Sequence, residues 1–323
     1  MISKPRVLVS RQVFDEVIDY LAEHCEVEAN QDDIPFSVEQ LTQRLEGKDA
    51  LMCSLTDRLD TATLQRCTRL KVISNIAVGY NNIDVAACSA QGIKVTNTPG
   101  VLDDSTADLA FALMLSTARR VTEVEALIRQ GQWTGWRLQQ WLGVDVHHAT
   151  LGIIGMGRIG QAIARRALGF DMNVLYHNRN RVAPEIERKL GAAHCSFEDL
   201  LKRSDFVILQ VPYSSHTHHL INAKALAMMK PGAILINSTR GGVVDDAALV
   251  HALEAGVIRA AGLDVFENEP KLHPGFLKLQ NVVLTPHIGS STETTRRAMA
   301  MCAATNMIAA LNGQVPPNWV NPI

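Results

Sequence analysis

A short apolar run, Leu151-Gly152-Ile153-Ile154, leads straight into Gly155-Met156-Gly157-Arg158-Ile159-Gly160, and a stretch with Ile159, Ile163 and Ala167 on one side follows. The G-x-G-x-x-G spacing is common by itself, but a strand before it and a helix after it leave the chain few conformations. Gly155 permits a tight turn, Gly157 removes the Cβ that would stand between the backbone and a phosphate, and Gly160 lets the helix lie close to the strand. In the first helical turn the N–H groups, those of Arg158 and Ile159 included, have no partner within the helix and sit at its positive end. The six positions Gly155–Gly160, Met156 among them, are therefore predicted to cradle the pyrophosphate of a dinucleotide.

The surrounding pattern is one of strands alternating with helices. Arg6–Ser10, Ala50–Cys53, Val72–Ala77 and Ile93–Thr96 read as strands, and Phe14–His24, Val38–Leu45, Ala62–Cys67 and Val85–Ala90 as helices between them. A second series starts at Leu151, with strands expected at Asn173–Tyr176, Phe206–Gln210, Ala233–Asn237, Ala261–Asp264 and Val282–Thr285. Such alternation builds parallel sheets covered by helices on both faces. Asp104 to Gly131 reads as one long buried helix that carries the chain from one domain to the next, and Thr292–Leu311 as a closing helix. The fold class expected is α/β, with two doubly wound parallel-sheet domains: a flavodoxin-like substrate domain, residues 1–102 and 290–323, and a Rossmann nucleotide-binding domain, residues 103–289.

Composition removes several other classes. With 323 residues and 47% apolar side chains, each of two domains can bury a core. A net charge of −2 with both signs interspersed offers nothing to nucleic acid or an anionic membrane. Apolar runs such as Ala110–Leu115 are too short to span a bilayer, and Met1-Ile2-Ser3-Lys4-Pro5 has no leader-like apolar stretch. The six cysteines form no C-x-x-C pair and lie mostly in apolar segments, as buried thiols of a reducing cytoplasm do. His216, His218 and His219 have no carboxylate or Cys at ligand spacing, so they read as a solvated loop and no metal is expected.

Roughly 20 residues past the glycines, an NAD site places Asp or Glu on the ribose 2′-hydroxyl. Here the chain reads Tyr176-His177-Asn178-Arg179-Asn180-Arg181. An acid there would repel a 2′-phosphate, whereas Arg179 and Arg181 beside Asn178 can hold one by charge-assisted hydrogen bonds. The expected cofactor is NADP(H), with NAD(H) a weaker ligand.

In the second series, the loops after three strands carry reactive side chains: Ser238-Thr239-Arg240-Gly241-Gly242, Gly262-Leu263-Asp264-Val265-Phe266-Glu267-Asn268-Glu269-Pro270, and Pro286-His287-Ile288-Gly289. Ligands of an open parallel sheet sit at the carboxyl ends of its strands, so these loops can face one crevice. Together with the glycine turn, in this order, they resemble the D-isomer-specific 2-hydroxyacid dehydrogenases over essentially the whole chain. The closest likeness is to the branch of glyoxylate/hydroxypyruvate reductases that includes 2-ketogluconate reductases, which Asp145-Val146-His147-His148 and the Trp-rich stretch before it also fit.

The resemblance implies Arg240, Glu269 and His287 as the catalytic residues. Reducing a 2-keto group leaves oxyanion character on its oxygen, and a proton must arrive there. An imidazolium can donate it near neutral pH. Glu269 would orient the His287 ring, and the Arg240 fork would hold the substrate carboxylate. The family's equivalents of Val78 and Gly79 offer backbone N–H groups to that carboxylate, and Leu102 borders the crevice with Thr106. Asp264, Thr239, Gly289, Val211 and Pro212 line the cofactor. Further implications are a homodimer in which the Trp133–Trp141 arm crosses over, and hinge closure over a cleft between the domains. The products would be D-2-hydroxy acids made from glyoxylate, hydroxypyruvate or 2-ketogluconate. The other class open to such a chain is a nucleotide-sensing corepressor on the same scaffold, which binds without turnover.

Overall fold

The computed structural model describes residues 4–322. Its contacts divide the chain into two compact units, one running to Leu102 and resuming at Ser291, the other Asp103–Ser290. Both are α/β, each built on one wholly parallel sheet.

The first unit holds β1 (Arg6–Val9), β2 (Glu26–Ala29), β3 (Ala50–Cys53), β4 (Val72–Asn75) and β5 (Lys94–Thr96), in the order β2-β1-β3-β4-β5. β3 and β4 are buried along their whole length, which is why they read as continuous apolar runs without alternation. Val7, Val9, Met52 and Val72 face the helices Asp15–His24 and Glu293–Leu311 in one apolar cluster, which contains Val17, Leu21, Ala303 and Met307. Leu8, Leu51 and Ile73 turn to the opposite face, against Leu41, Leu45, Leu64 and Cys88. The last long helix thus returns to the unit where the chain began.

The second unit holds β6 (Thr150–Ile154), β7 (Asn173–His177), β8 (Ala192–His194), β9 (Phe206–Leu209), β10 (Ile234–Asn237), β11 (Ala260–Leu263) and β12 (Val282–Leu284). Their order, β12-β11-β10-β9-β6-β7-β8, reverses direction between β6 and β9. A crevice opens at such a switch point, because the connections leave it on opposite sides. Ile153, Tyr176, Ile208 and Ile236 pack under Phe111, Met114 and Ile163, while Ile154, Val207 and Leu235 pack under Leu200, Leu226 and Leu249.

The structure corrects the expected continuous helix from Asp104 to Gly131. Two helices replace it, Asp103–Arg119 and Val121–Arg129, broken at Arg120 in the left-handed region with φ 57°. Arg120 pairs with Glu123 at 2.6 Å, and Val144 donates to the Ala118 carbonyl at 2.9 Å where the next turn would have paired it. Both helices stay in the second unit, so neither carries the chain between units. The helix Pro184–Leu190 and the strand β8 after it carry no strong apolar period and were not expected from the sequence. Among the described residues no helix is long and apolar enough to cross a membrane.

Candidate active site

At the switch point β6 is followed by Gly155, whose φ of +107° suits glycine and whose N–H donates to the His177 carbonyl at 3.0 Å. A Cβ on Gly155 would meet the Gln210 carbonyl oxygen at 2.3 Å, and one on Gly160 the Gly155 carbonyl oxygen at 2.1 Å. The turn is therefore closed on the protein side by backbone contacts. The place where a Cβ would stand on Gly157 is open, with no heavy atom within 4 Å. The helix Arg158–Ala167 begins there, and its first turn presents N–H groups with no partner in the helix. An open cradle with free donors at a positive helix end fits a pyrophosphate.

The ribose-side residues divide into two kinds. Asn178 takes the N–H of Met156 on its side-chain oxygen at 2.7 Å, which ties the end of β7 to the glycine turn. Arg181, expected to face a phosphate, is instead held by both carboxylate oxygens of Glu187 at 2.7 and 2.6 Å. That carboxylate also accepts from Tyr176 at 2.6 Å, and Arg181 with Tyr176 holds it down to about 2. Arg179 and Arg158 are exposed, and neither has a hydrogen-bond or ion-pair partner among the described residues. The 2′-phosphate grip expected of two arginines thus has one uncommitted guanidinium on that loop, Arg179.

On the other side of the switch point, β10, β11 and β12 end in the reactive loops. His287 Nδ1 lies 2.8 Å from Glu269 Oε2, and Glu269 Oε1 accepts from Phe266 N at 3.1 Å. A carboxylate has no proton to give, so Nδ1 carries the hydrogen and Nε2 is left as the other ring nitrogen. Burial works to raise the Glu269 carboxyl, but the His287 hydrogen bond and charge, the Phe266 N–H and the Arg240 charge together hold it below the usual range. Arg240 is half-buried, donates to the Thr239 carbonyl at 2.7 Å, and its guanidinium is destabilised by burial and supported by Glu269. The three side chains expected to act together are in one unit and within mutual electrostatic reach.

His287 itself has φ +55°. Asp264 fixes that turn: its carbonyl takes His287 N at 2.9 Å, Oδ1 takes Thr285 Oγ1 at 2.6 Å and Ile288 N at 2.8 Å, and Oδ2 takes Gly289 N at 2.9 Å. Its carboxyl is fully buried and raised above the ordinary value, burial outweighing those hydrogen bonds. A Cβ on Gly289 would lie 3.4 Å from Asp264 Oδ2 and 3.6 Å from Thr106 Cγ2, so Thr106, Asp264 and Gly289 meet. Thr239 Oγ1 donates to the Val211 carbonyl at 2.6 Å, joining the β10 and β9 loops; Pro212, next to Val211, is exposed. Val78, Gly79 and Leu102 belong to the five-stranded unit, the first two partly exposed in the turn after β4 and Leu102 buried.

One pair that the sequence hides lies behind this site. His219, read as part of a solvated loop, is half-buried, with Nε2 2.5 Å from Glu267 Oε1 and its N–H on the Gly242 carbonyl at 2.9 Å. Glu267 N donates to Asp246 Oδ2 at 3.1 Å, and burial pushes that aspartate up to about 6. A Cβ on Gly241 would fall 1.8 Å from the Phe266 carbonyl oxygen, so the Arg240 loop and the Glu269 loop touch backbone to backbone. The pair spans 48 positions, and no local period marks it. His218 stacks on His219 with centroids 3.9 Å apart, and the described residues contain no group of three or more ligating side chains that could hold a metal ion.

A parallel sheet with an open glycine turn at its switch point defines a dinucleotide-binding α/β protein. The profile of the D-isomer specific 2-hydroxyacid dehydrogenase NAD binding domain matches residues 111–289, and the chain belongs to that family. It is 48% identical over 322 residues to the glyoxylate reductase of Thermococcus onnurineus, covering 98% of this chain and 96% of that one. The glyoxylate reductase of Pyrococcus horikoshii is equally similar, at 48% over 322 residues with the same coverage. Among solved structures, a protein of Thermus thermophilus superposes with a TM-score of 0.90 at 44% identity, covering 98% of this chain and 100% of that one. An NADPH-dependent glyoxylate/hydroxypyruvate reductase from Sinorhizobium meliloti, in complex with NADP and malonate, gives 0.88 at 34% identity, covering 98% and 97%.

Proposed function

We propose that the chain is an NADPH-preferring reductase of small 2-oxo acids, glyoxylate and hydroxypyruvate foremost and 2-ketogluconate as a larger candidate, yielding glycolate from the first and D-2-hydroxy acids from the others. The observation that carries this reading is the 2.8 Å pair of His287 and Glu269 with Arg240 beside it. Bound NADPH supplies the hydride. Gly155–Gly160 and the first turn of the helix after them hold its pyrophosphate, and Arg179 reaches the 2′-phosphate. Arg181, committed to Glu187, shapes the loop that presents Arg179. Val211, Pro212, Thr239, Thr106, Asp264 and Gly289 line the nicotinamide end.

Arg240 holds the substrate carboxylate with its planar fork and draws charge toward the carbonyl oxygen. In the five-stranded unit, the backbone N–H groups of Val78 and Gly79 are donors of the kind a carboxylate accepts from, and Leu102 is the apolar side chain proposed with them. As the 2-keto oxygen gains negative charge, Nε2 of His287 gives it a proton. Glu269 holds the ring through Nδ1 and so leaves Nε2 as the nitrogen that can give a proton in this step. The names of the Thermococcus and Pyrococcus relatives and of the Sinorhizobium structure support the substrate class, and the exposed Arg179 supports the cofactor preference.

The test is absorbance loss of NADPH and of NADH against a panel of 2-oxo acids. We expect turnover with glyoxylate or hydroxypyruvate and a kcat/KM at least about tenfold higher with NADPH, the size of a charge-assisted contact. A preference for NADH overturns the cofactor assignment. No turnover with any 2-oxo acid overturns the reductase and favours a nucleotide-sensing binding module.

A further inference from the structure

The turn that follows β4 is held in an unusual way. The Ala77 carbonyl accepts from Thr98 N at 3.0 Å, the Val78 carbonyl from Asn97 Nδ2 at 2.8 Å, and the Gly79 carbonyl from Asn75 Nδ2 at 2.9 Å. A carbonyl can only accept, so the atom each asparagine turns toward it is its amide nitrogen. The peptides here are trans, and in a trans peptide the N–H points opposite to the C=O of the same plane. Pinning three successive carbonyls therefore directs the N–H groups of Val78, Gly79 and Tyr80 away from the groups that pin them. Among the described residues, none of these three N–H groups donates a hydrogen bond.

The two asparagines are themselves fixed. Asn75 is fully buried at the end of β4, with its side-chain oxygen accepting from Cys53 Sγ at 3.5 Å. Asn97 donates through its backbone N–H to the Asn318 carbonyl at 3.3 Å and accepts on its own carbonyl from Asn306 Nδ2 at 3.1 Å. Hydrogen bonds to a peptide carbonyl polarise that peptide and strengthen its N–H as a donor. Three consecutive unpaired N–H groups of this kind are the donor set of an anion-binding turn.

We propose that Asn75 and Asn97 are positioning residues for a carboxylate site built from the N–H groups of Val78, Gly79 and Tyr80, and that they set the chain's preference for 2-oxo acids over uncharged carbonyl compounds. The inference rests on the reductase reading above and adds to it the two side chains and the third donor. Asn75 and Asn97 do not touch the substrate; they act by holding peptide planes.

The experiment compares glyoxylate with its ethyl ester, which presents the same carbonyl without the negative charge. In Asn97→Ala, the ratio of kcat/KM for acid over ester falls about tenfold or more, the value of a charge-assisted hydrogen bond. The ester's own kcat/KM and the Kd for NADPH stay within about twofold, and Asn97→Gln, which keeps a donor, recovers part of the ratio. A loss of packing alone lowers acid and ester together, and that outcome overturns the proposal. Asn75→Ser provides the same reading in a variant that removes less volume. A second arm needs no turnover: amide resonances of Val78, Gly79 and Tyr80 in the wild-type protein shift on titration with oxalate, and the affinity weakens about tenfold in Asn97→Ala. Turnover of 2-oxo acids with those amides silent sinks this inference and leaves the reductase standing. Amides that respond in a protein without turnover sink the reductase and leave the anion site.

Discussion

His287 adopts a left-handed conformation that costs a non-glycine residue about 1 kcal/mol, and Asp264 holds it there with donors from three neighbouring positions. From that turn the ring meets Glu269 at 2.8 Å, so the side chain and its turn belong to one part of the site. Substituting His287→Ala or Arg240→Ala is expected to lower kcat/KM by about 10²-fold or more while the circular dichroism spectrum and Tm stay close to wild type. Near-normal turnover in either variant removes that residue from the mechanism. Arg179→Ala is expected to raise KM for NADPH about tenfold and to leave KM for NADH nearly unchanged, because only the former carries the 2′-phosphate. An equal rise for both places Arg179 elsewhere. The residue types of this loop were legible in the sequence, but not their division of labour. Arg181 and Arg179 stand two positions apart, and only the approach of Glu187 in the folded chain takes one of them out of reach of a ligand.

Among the elements, most strands and most helices announce themselves through buried apolar runs and caps. Ser37, Asp60, Asp84, Ser196, Asn222, Asp245 and Thr292 each cap the helix that follows them. The weak elements are those whose stability comes from a partner. The helix Pro184–Leu190 is held to β7 by Glu187, which joins Tyr176 and Arg181. Because the folded carboxyl lies at about 2 and the ordinary value is 4.5, its stabilisation is present above the unfolded value and lost as pH falls through the folded one. Glu187→Gln is therefore expected to lower Tm near neutral pH, with the gap to wild type closing as the pH falls from about 4.5 toward about 2. A gap that stays constant across that range means the carboxylate charge is not what ties the helix down. The break at Arg120 was equally hidden: the apolar period continues through it, and the returning segment at Gly143–Val144, which takes the Ala118 carbonyl, is far away in sequence.

In the whole molecule, the arm from Val121 to Leu142 leaves large apolar side chains uncovered: Trp136 is 79% exposed, Leu138 75% and Leu142 59%. Clustered exposure of this size marks a surface that another chain covers. We expect light scattering to find twice the monomer mass, and the double substitution Trp136→Asp with Leu138→Asp to shift it toward the monomer; a wild-type monomer at micromolar concentration refutes this. By itself the sequence determined the two series of parallel strands, the glycine turn and the loops that bear Arg240, Glu269 and His287, because each is written in neighbouring residues or at strand ends. Only the tertiary structure decided which arginine of the loop after β7 is left without a partner among the described residues, that His219 and Glu267 pair behind the site, that the long helix breaks, and that two asparagines hold a row of peptide planes. Those outcomes rest on contacts between residues distant in the chain, whose energies have no local period to betray them.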